Sequence, residues 1–164
     1  MNKYGWLHAL QIRPAHAGDG RQLARVLRPE DRAELAATHP GISPGKCLEK
    51  FIEVSAVSLF VCYRGKPLLL AGVYRDPVLV TPSIVWLLTG KEVRKHPIRF
   101  FKLTRFFLKQ WLAYYGDLFN YVDARYWGAC KLARRFGGEL ENDGSYYQGK
   151  LFLKCIFRRN LWEE

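Results

Sequence analysis

The residues best suited to chemistry lie in the run Val93-Arg94-Lys95-His96-Pro97-Ile98-Arg99. Three cations stand where a long helix is predicted to begin, and Arg94, Lys95 and Arg99 can hold phosphate through charge-assisted hydrogen bonds. The simpler alternative is a solvated basic face, because a charged loop before a helix is commonplace. His96 can act as a base, although an isolated histidine in a basic loop is more often simply solvated. Asp123 stands at the end of a predicted strand, where a carboxylate can accept an amine proton. It can equally pair with Arg125 or cap the helix that follows, and the capping role is favoured.

Other chemistries are excluded or weaker. The four cysteines, Cys47, Cys62, Cys130 and Cys155, have no metal-type spacing and form no Cys-x-x-Cys. Their apolar and aromatic neighbours mark them as buried, reduced thiols. No metal is expected. Arg99, Lys102, Arg105 and Lys109 fall on one arc of the long helix and can meet a polyanion. Trp111, Tyr114 and Tyr115 fall largely on the other arc and read as core, so sequence-specific nucleic-acid recognition is disfavoured.

The composition supports a packed, basic protein. The 164 residues are 49% hydrophobic and 15% aromatic, which suits one domain over residues 1–164 with a single core. Net charge is +11, and residues 91–164 hold 15 Lys and Arg against 8 Asp and Glu. That balance favours an anionic partner: nucleic acid, a phosphorylated cofactor or an acidic protein. No stretch approaches the ~20 apolar residues that span a bilayer. The N-terminal Met1 to Trp6 lacks an apolar core, so no signal peptide is expected and a cytoplasmic location is.

The elements that must position these residues follow from pattern. Leu7 to Ile12 reads as a strand. Asp19 reads as a helix cap, Glu30 to Ala37 as a short helical piece beyond Pro29, and Ser43-Pro44 as a strong helix start. Val57 to Tyr63 and Pro67 to Tyr74 form a hairpin around Arg64-Gly65-Lys66. Ser83 to Thr89 is an apolar run of the length of a central strand buried on both faces. Gly90 to Pro97 is a basic connector, and Ile98 to Tyr115 a long amphipathic helix. Leu118 to Ala124 is a strand, 126–136 a helix, and Tyr146 to Phe157 one or two final strands. The summary order is strand, two helices, three strands, long helix, strand, helix, strand, which indicates an α/β mixed sheet with helices on both faces.

That order is similar to the GNAT fold of N-acetyltransferases. Tyr126-x-x-Ala129-x-x-Leu132-Ala133-x-x-x-Gly137-Gly138 resembles the family segment Asn-x-x-Ala-x-x-Leu-Tyr-x-x-x-Gly-Phe. A narrower resemblance, over about residues 57–157, is to GNAT-like phage proteins of the internal virion protein A family of short-tailed phages. It is carried by Trp86-Leu87-Leu88-Thr89, by Gly90-Lys91 to Arg94-Lys95, by Asp117 to Val122 and by Tyr63 to Leu68.

The resemblance implies that strands 83–89 and 118–124 are parallel neighbours diverging at their C-terminal ends, with acetyl-CoA between them. Its binding residues would be Leu87, Leu88, Arg94, Lys95 and Arg99. The family holds pyrophosphate on a glycine-rich turn at the start of the long helix, where backbone N–H groups approach phosphate. Here that turn contains no glycine, and Pro97 removes a donor. The catalytic tyrosine would fall at Ala133, which has no proton to give; the hydroxyl of Tyr126, in the asparagine position, partly substitutes. The expected function is therefore a phage-encoded protein acting in virion assembly or host takeover by binding, in the host cytoplasm or virion, with a phage or host protein as partner. Acetyl transfer is expected to be reduced or absent. The alternatives are an active acetyl-CoA-dependent N-acetyltransferase and a basic nucleic-acid-binding accessory protein.

Overall fold

A two-residue turn at Arg64-Gly65, with positive φ at both residues (48° and 74°), joins β2 (Val57–Tyr63) to β3 (Lys66–Tyr74). This is the turn whose twist suits neighbouring strands, and glycine takes one of its two left-handed positions without strain. The computed structural model describes residues 8–78 and 82–162. Leu7, the expected start of the first strand, lies outside the described residues, as does the segment Met1 to Trp6. The other strands are β1 (Leu10–Pro14), β4 (Ser83–Thr89), β5 (Leu118–Asp123), β6 (Glu139–Tyr147) and β7 (Lys150–Phe157). They hydrogen-bond in the order β1-β2-β3-β4-β5-β7-β6, with β4 and β5 parallel and the β1–β2, β5–β7 and β6–β7 pairs antiparallel. The helices are α1 (Asp19–Ala24), α2 (Pro29–Thr38), α3 (Pro44–Val54), α4 (Pro97–Tyr115) and α5 (Trp127–Arg135). The fold is mixed α/β, as the element order indicates.

The chain divides into two compact units. One comprises residues 1–72 with 87–97, the other residues 73–86 with 98–164. In the first, Leu23, Leu27, Leu48, Phe60, Val61 and Leu70 are fully buried. The Ser43 hydroxyl accepts a hydrogen bond from Lys46 N at 3.4 Å and Pro44 opens the first turn of α3, as the Ser-Pro pair predicts. Gly20 lets α1 and α3 approach: a Cβ there would stand 2.7 Å from Glu49 N.

Asp19 has a different role from the expected cap. Gly18 is the cap residue, and the buried Asp19 carboxylate takes Arg13 Nη1 and Nη2 at 2.7 and 2.8 Å and His16 N at 2.6 Å. Burial pushes its pKa up, but these partners outweigh it and hold the carboxyl below its usual value. A depressed folded-state pKa stabilises above the unfolded value of about 3.9 and is lost as pH falls through the folded value. Asp19→Asn should cost about 1.5–3 kcal/mol at pH 7. In chemical denaturation below pH ~4, where the unfolded-state carboxyl protonates, the parent should lose stability toward the variant. Parallel pH profiles would remove this role from Asp19.

In the second unit, Leu112, Leu118, Phe152 and Cys155 are fully buried, and Phe101 stacks on Phe136 at 4.8 Å. All four cysteines of the chain are free and buried, and burial pushes the Cys155 thiol to about 12. β6 begins at Glu139, seven residues before the expected final strands. Its Glu-Leu-Glu-Asn-Asp start has no strand-forming composition; pairing with β7 makes it a polar edge strand.

Candidate functional site

In the first unit the end of β4 is fastened by a buried carboxylate. Asp31 Oδ2 accepts Thr89 Oγ1 at 2.6 Å, Thr89 N at 3.2 Å and Arg28 Nε at 3.0 Å. Arg28 N donates to Thr89 O, Gly90 N to Leu68 O and Lys91 N to Val26 O. Leu87, half-buried, and Leu88, buried, precede this anchor.

The basic connector folds into a 3-10 turn, Lys91–Lys95, rather than a loop, and the charges of Arg94 and Lys95 are already paired. Arg94 Nη2 lies 2.6 Å from Glu30 Oε1. Glu92 gathers two cations, Lys95 Nζ at 3.1 Å and Lys66 Nζ at 4.0 Å, and the His96 ring stands beside it with Nε2 at 3.7 Å. The Lys95 hydrogen bond and the charges around it hold the Glu92 carboxyl below its usual range, against the effect of burial. The Glu30 carboxyl is also held low, first by its own backbone N–H and then by the charges of Arg94 and Arg28, against burial. Arg94 and Lys95 remain reachable, with side chains 54% and 65% exposed, so a phosphate would exchange with Glu30 and Glu92. His96 is packed, not solvated: its side chain is 17% exposed and its ring meets Tyr63 edge-on at 4.5 Å.

In the second unit β5 pairs with β7 along its whole length, but with β4 only at Ser83↔Leu118 and Ile84↔Phe119. Ala124 N donates to Leu151 O, so alternate N–H groups of β5, Tyr121 among them, point away from β7. Tyr121 N is met at 2.7 Å by Asn120 Oδ1.

Asp123 is fully buried and takes the pairing role, not the capping one. Arg125 Nε reaches its two carboxylate oxygens at 2.9 and 3.1 Å, and Arg125 N donates to Oδ1 at 3.0 Å. The cap residue of α5 is Tyr126, half-buried, with no side-chain cap bond and with the Arg125 guanidinium 5.3 Å over its ring. Ala133 is buried. Gly138 stands where the family segment has phenylalanine, and a Cβ there would lie 2.3 Å from Cys155 Sγ.

On α4, Arg99, Lys102, Arg105 and Lys109 are all exposed, as burying four cations without counter-charges would be prohibitive. Trp111 is core, but Tyr114 is 81% exposed and Phe106 57%.

Sequence reasoning missed the anionic half of this arrangement. Glu92 was legible, three and four residues before Lys95 and His96. Glu30 and Asp31 were not, because 64 and 58 residues separate them from Arg94 and Thr89.

No protein-family profile and no curated protein matches the sequence. Solved structures do match. The ribosomal-protein-S5-alanine acetyltransferase from Vibrio fischeri superposes with a TM-score of 0.67 at 13% identity, covering 95% of this chain and 96% of that one. A GNAT-family acetyltransferase from Streptococcus pneumoniae gives 0.64 at 17%, covering 91% and 98%. Spermidine N-acetyltransferase from Vibrio cholerae, solved with CoA and spermine, gives 0.67 at 12%, covering 96% and 99%. At such identities the likeness is one of architecture, and this chain has the fold of the GNAT acetyltransferases.

Proposed function

We propose that this chain binds an acyl-CoA and works through binding, with acetyl transfer slow or absent. The parallel pairing of β4 with β5 and the fold likeness support the first half. Leu87 and Leu88 would line the ligand, and Arg94, Lys95 and Arg99 would hold its phosphates by side-chain charge. The donor set fits such a group because Arg94 and Lys95 are exposed and exchangeable. Bound acyl-CoA would supply an acyl group activated as a thioester.

One observation carries the second half: buried Ala133 occupies the position where the family segment has tyrosine. Among the other candidates, Asp123 is held by Arg125, while His96 Nε2 is buried beside Glu92 without a hydrogen bond. The Tyr126 hydroxyl is a proton donor of this set. The resemblance to short-tailed-phage proteins adds a narrower proposal, a role in virion assembly or host takeover in the host cytoplasm or virion. A phage or host protein retained on this chain at high salt would support it.

Calorimetric titration with acetyl-CoA tests the ligand. Each charge-assisted contact contributes roughly 1.5–3 kcal/mol, so Arg94→Ala with Lys95→Ala should weaken binding on the order of a hundredfold or more. Glu30→Gln with Glu92→Gln should tighten it, by up to about fivefold for each ion pair no longer displaced. Equal affinity in the double alanine variant would remove these residues from the site. An absence of binding by the parent would end the acyl-CoA reading, and turnover near the ~10 s⁻¹ of ordinary enzymes would overturn the claim of slow transfer.

A further inference from the structure

The second unit carries a surface the acyl-CoA reading does not use. α4 and α5 contain no Asp or Glu, and neither does the run 124–138 around α5. Besides Arg99, they present six exposed cations: Lys102, Arg105 and Lys109 on α4, and Lys131, Arg134 and Arg135 on α5. Three described carboxylates that border these helices in the chain are engaged elsewhere. Asp117 accepts Arg159 N at 2.8 Å, Glu139 pairs with Arg158 at 3.1 Å, and Asp123 is held by Arg125.

Aromatic rings are interleaved with these charges. Phe106 and Tyr114 stand exposed on α4, and Trp127 is 68% exposed on α5. The Arg134 guanidinium lies 5.8 Å over Trp127, and that of Arg105 5.1 Å over Trp162. Trp162 connects the two helices: it lies against the backbone of Gly137, just beyond Arg134 and Arg135, where an added Cβ would stand 3.3 Å from its ring. Arg105, Trp162 and the end of α5 therefore form one continuous surface. Along α4 the cations are three or four residues apart, about 4.5–6 Å at the helical rise, a row of closely spaced charges.

We infer that this α4–α5 surface binds single-stranded nucleic acid without sequence preference. Cations in a row meet successive phosphates, and exposed rings stack unpaired bases, as on sequence-tolerant strand-binding proteins. Duplex DNA makes no use of the rings, since its bases are already stacked. Protein interfaces are depleted in lysine at their centres, whereas lysine supplies half of these six cations. A second copy of a chain at +11 is repelled. A membrane-surface helix inserts a segregated apolar face, but the apolar face of α4, with Phe100, Leu108, Trp111 and Leu112, is already buried.

The test is fluorescence anisotropy of the intact protein with a labelled oligothymidine of about twenty nucleotides, long enough for the ~4–16 nucleotides such sites span. Neutralising about four phosphates gives a log–log salt slope near −3, so affinity should fall about fiftyfold between 50 and 200 mM salt. Lys102→Glu with Lys109→Glu should make the slope shallower by about 1.4, near 0.7 per single-strand phosphate contact. Trp127→Ala or Phe106→Ala should lose about five- to a hundredfold with the slope unchanged, the amount one stacked base contributes. Both rings are exposed, so the fold should survive, and circular dichroism checks it. The control Arg25→Glu with Lys46→Glu changes exposed cations of the first unit and should leave binding nearly as in the parent. No binding at 50 mM salt would overturn the inference, and so would equal losses from the control. Tighter binding to the matching duplex, to polyglutamate or to phosphatidylserine vesicles would overturn it in favour of a general anion, protein or lipid surface.

Discussion

Asp31→Ala should cost about 3–5 kcal/mol of stability, the usual loss when one partner of a buried charged network is removed. Asp31 and Thr89 are both nearly inaccessible, and one carboxylate oxygen serves Thr89 Oγ1, Thr89 N and Arg28 Nε. Without it a buried hydroxyl and a buried amide lose their acceptor, and Arg28 loses its counter-charge. At a urea m-value of about 2 kcal/mol per molar, the midpoint should drop by roughly 2 M. Asp31→Asn keeps an acceptor and should lose less. Thr89→Val beside Asp31→Ala should cost less than the sum of the two, because both remove one network. A loss under 1 kcal/mol for Asp31→Ala would show that the end of β4 is held by its backbone bonds alone. On the proposed acyl-CoA reading, affinity for acetyl-CoA should fall in the same variant, because Leu87 and Leu88 lead directly into Thr89.

Gly138→Ala should destabilise by about 3 kcal/mol, at the upper end of what overpacking costs. The added Cβ would stand 2.3 Å from Cys155 Sγ and 2.9 Å from both Ala133 O and Phe157 Cε1. Two of these neighbours cannot swing aside: Cys155 is fully buried in β7, and Ala133 O accepts the hydrogen bond of Gly138 N at 3.0 Å. Cys155→Ala should recover part of the loss when combined with Gly138→Ala, since it removes the nearest atom, while costing stability alone. Thermal unfolding of the single and double variants measures this, and simple additivity would show that the sulfur is not the obstacle. The glycine at position 138 thus has a steric cause.

Local pattern was enough for much of the fold. β4 spans the residues that its apolar run marks, because a strand buried on both faces needs a continuous apolar segment. α4 begins one residue before its predicted start, since Pro97 fits the first turn of a helix. The β2–β3 hairpin and the cap of α3 follow from a few neighbouring residues. β6 does not, because its polar start has no strand propensity and is ordered by hydrogen bonds to β7.

By itself, then, the sequence determined most of the elements and the charge of the faces, because periodicity and caps act within a turn or two of chain, although three helices, not two, lie between β1 and β2. It also determined that Ala133 has no side-chain proton to give and Pro97 no backbone N–H. Only the tertiary structure decided the state of the charged groups. Arg94 meets Glu30, Thr89 meets Asp31, His96 is packed against Tyr63, and Asp123 is tied to Arg125. Choosing among several possible counter-ions requires knowing which of them the fold brings within about 4 Å, the range in which a Coulomb pair or hydrogen bond acts.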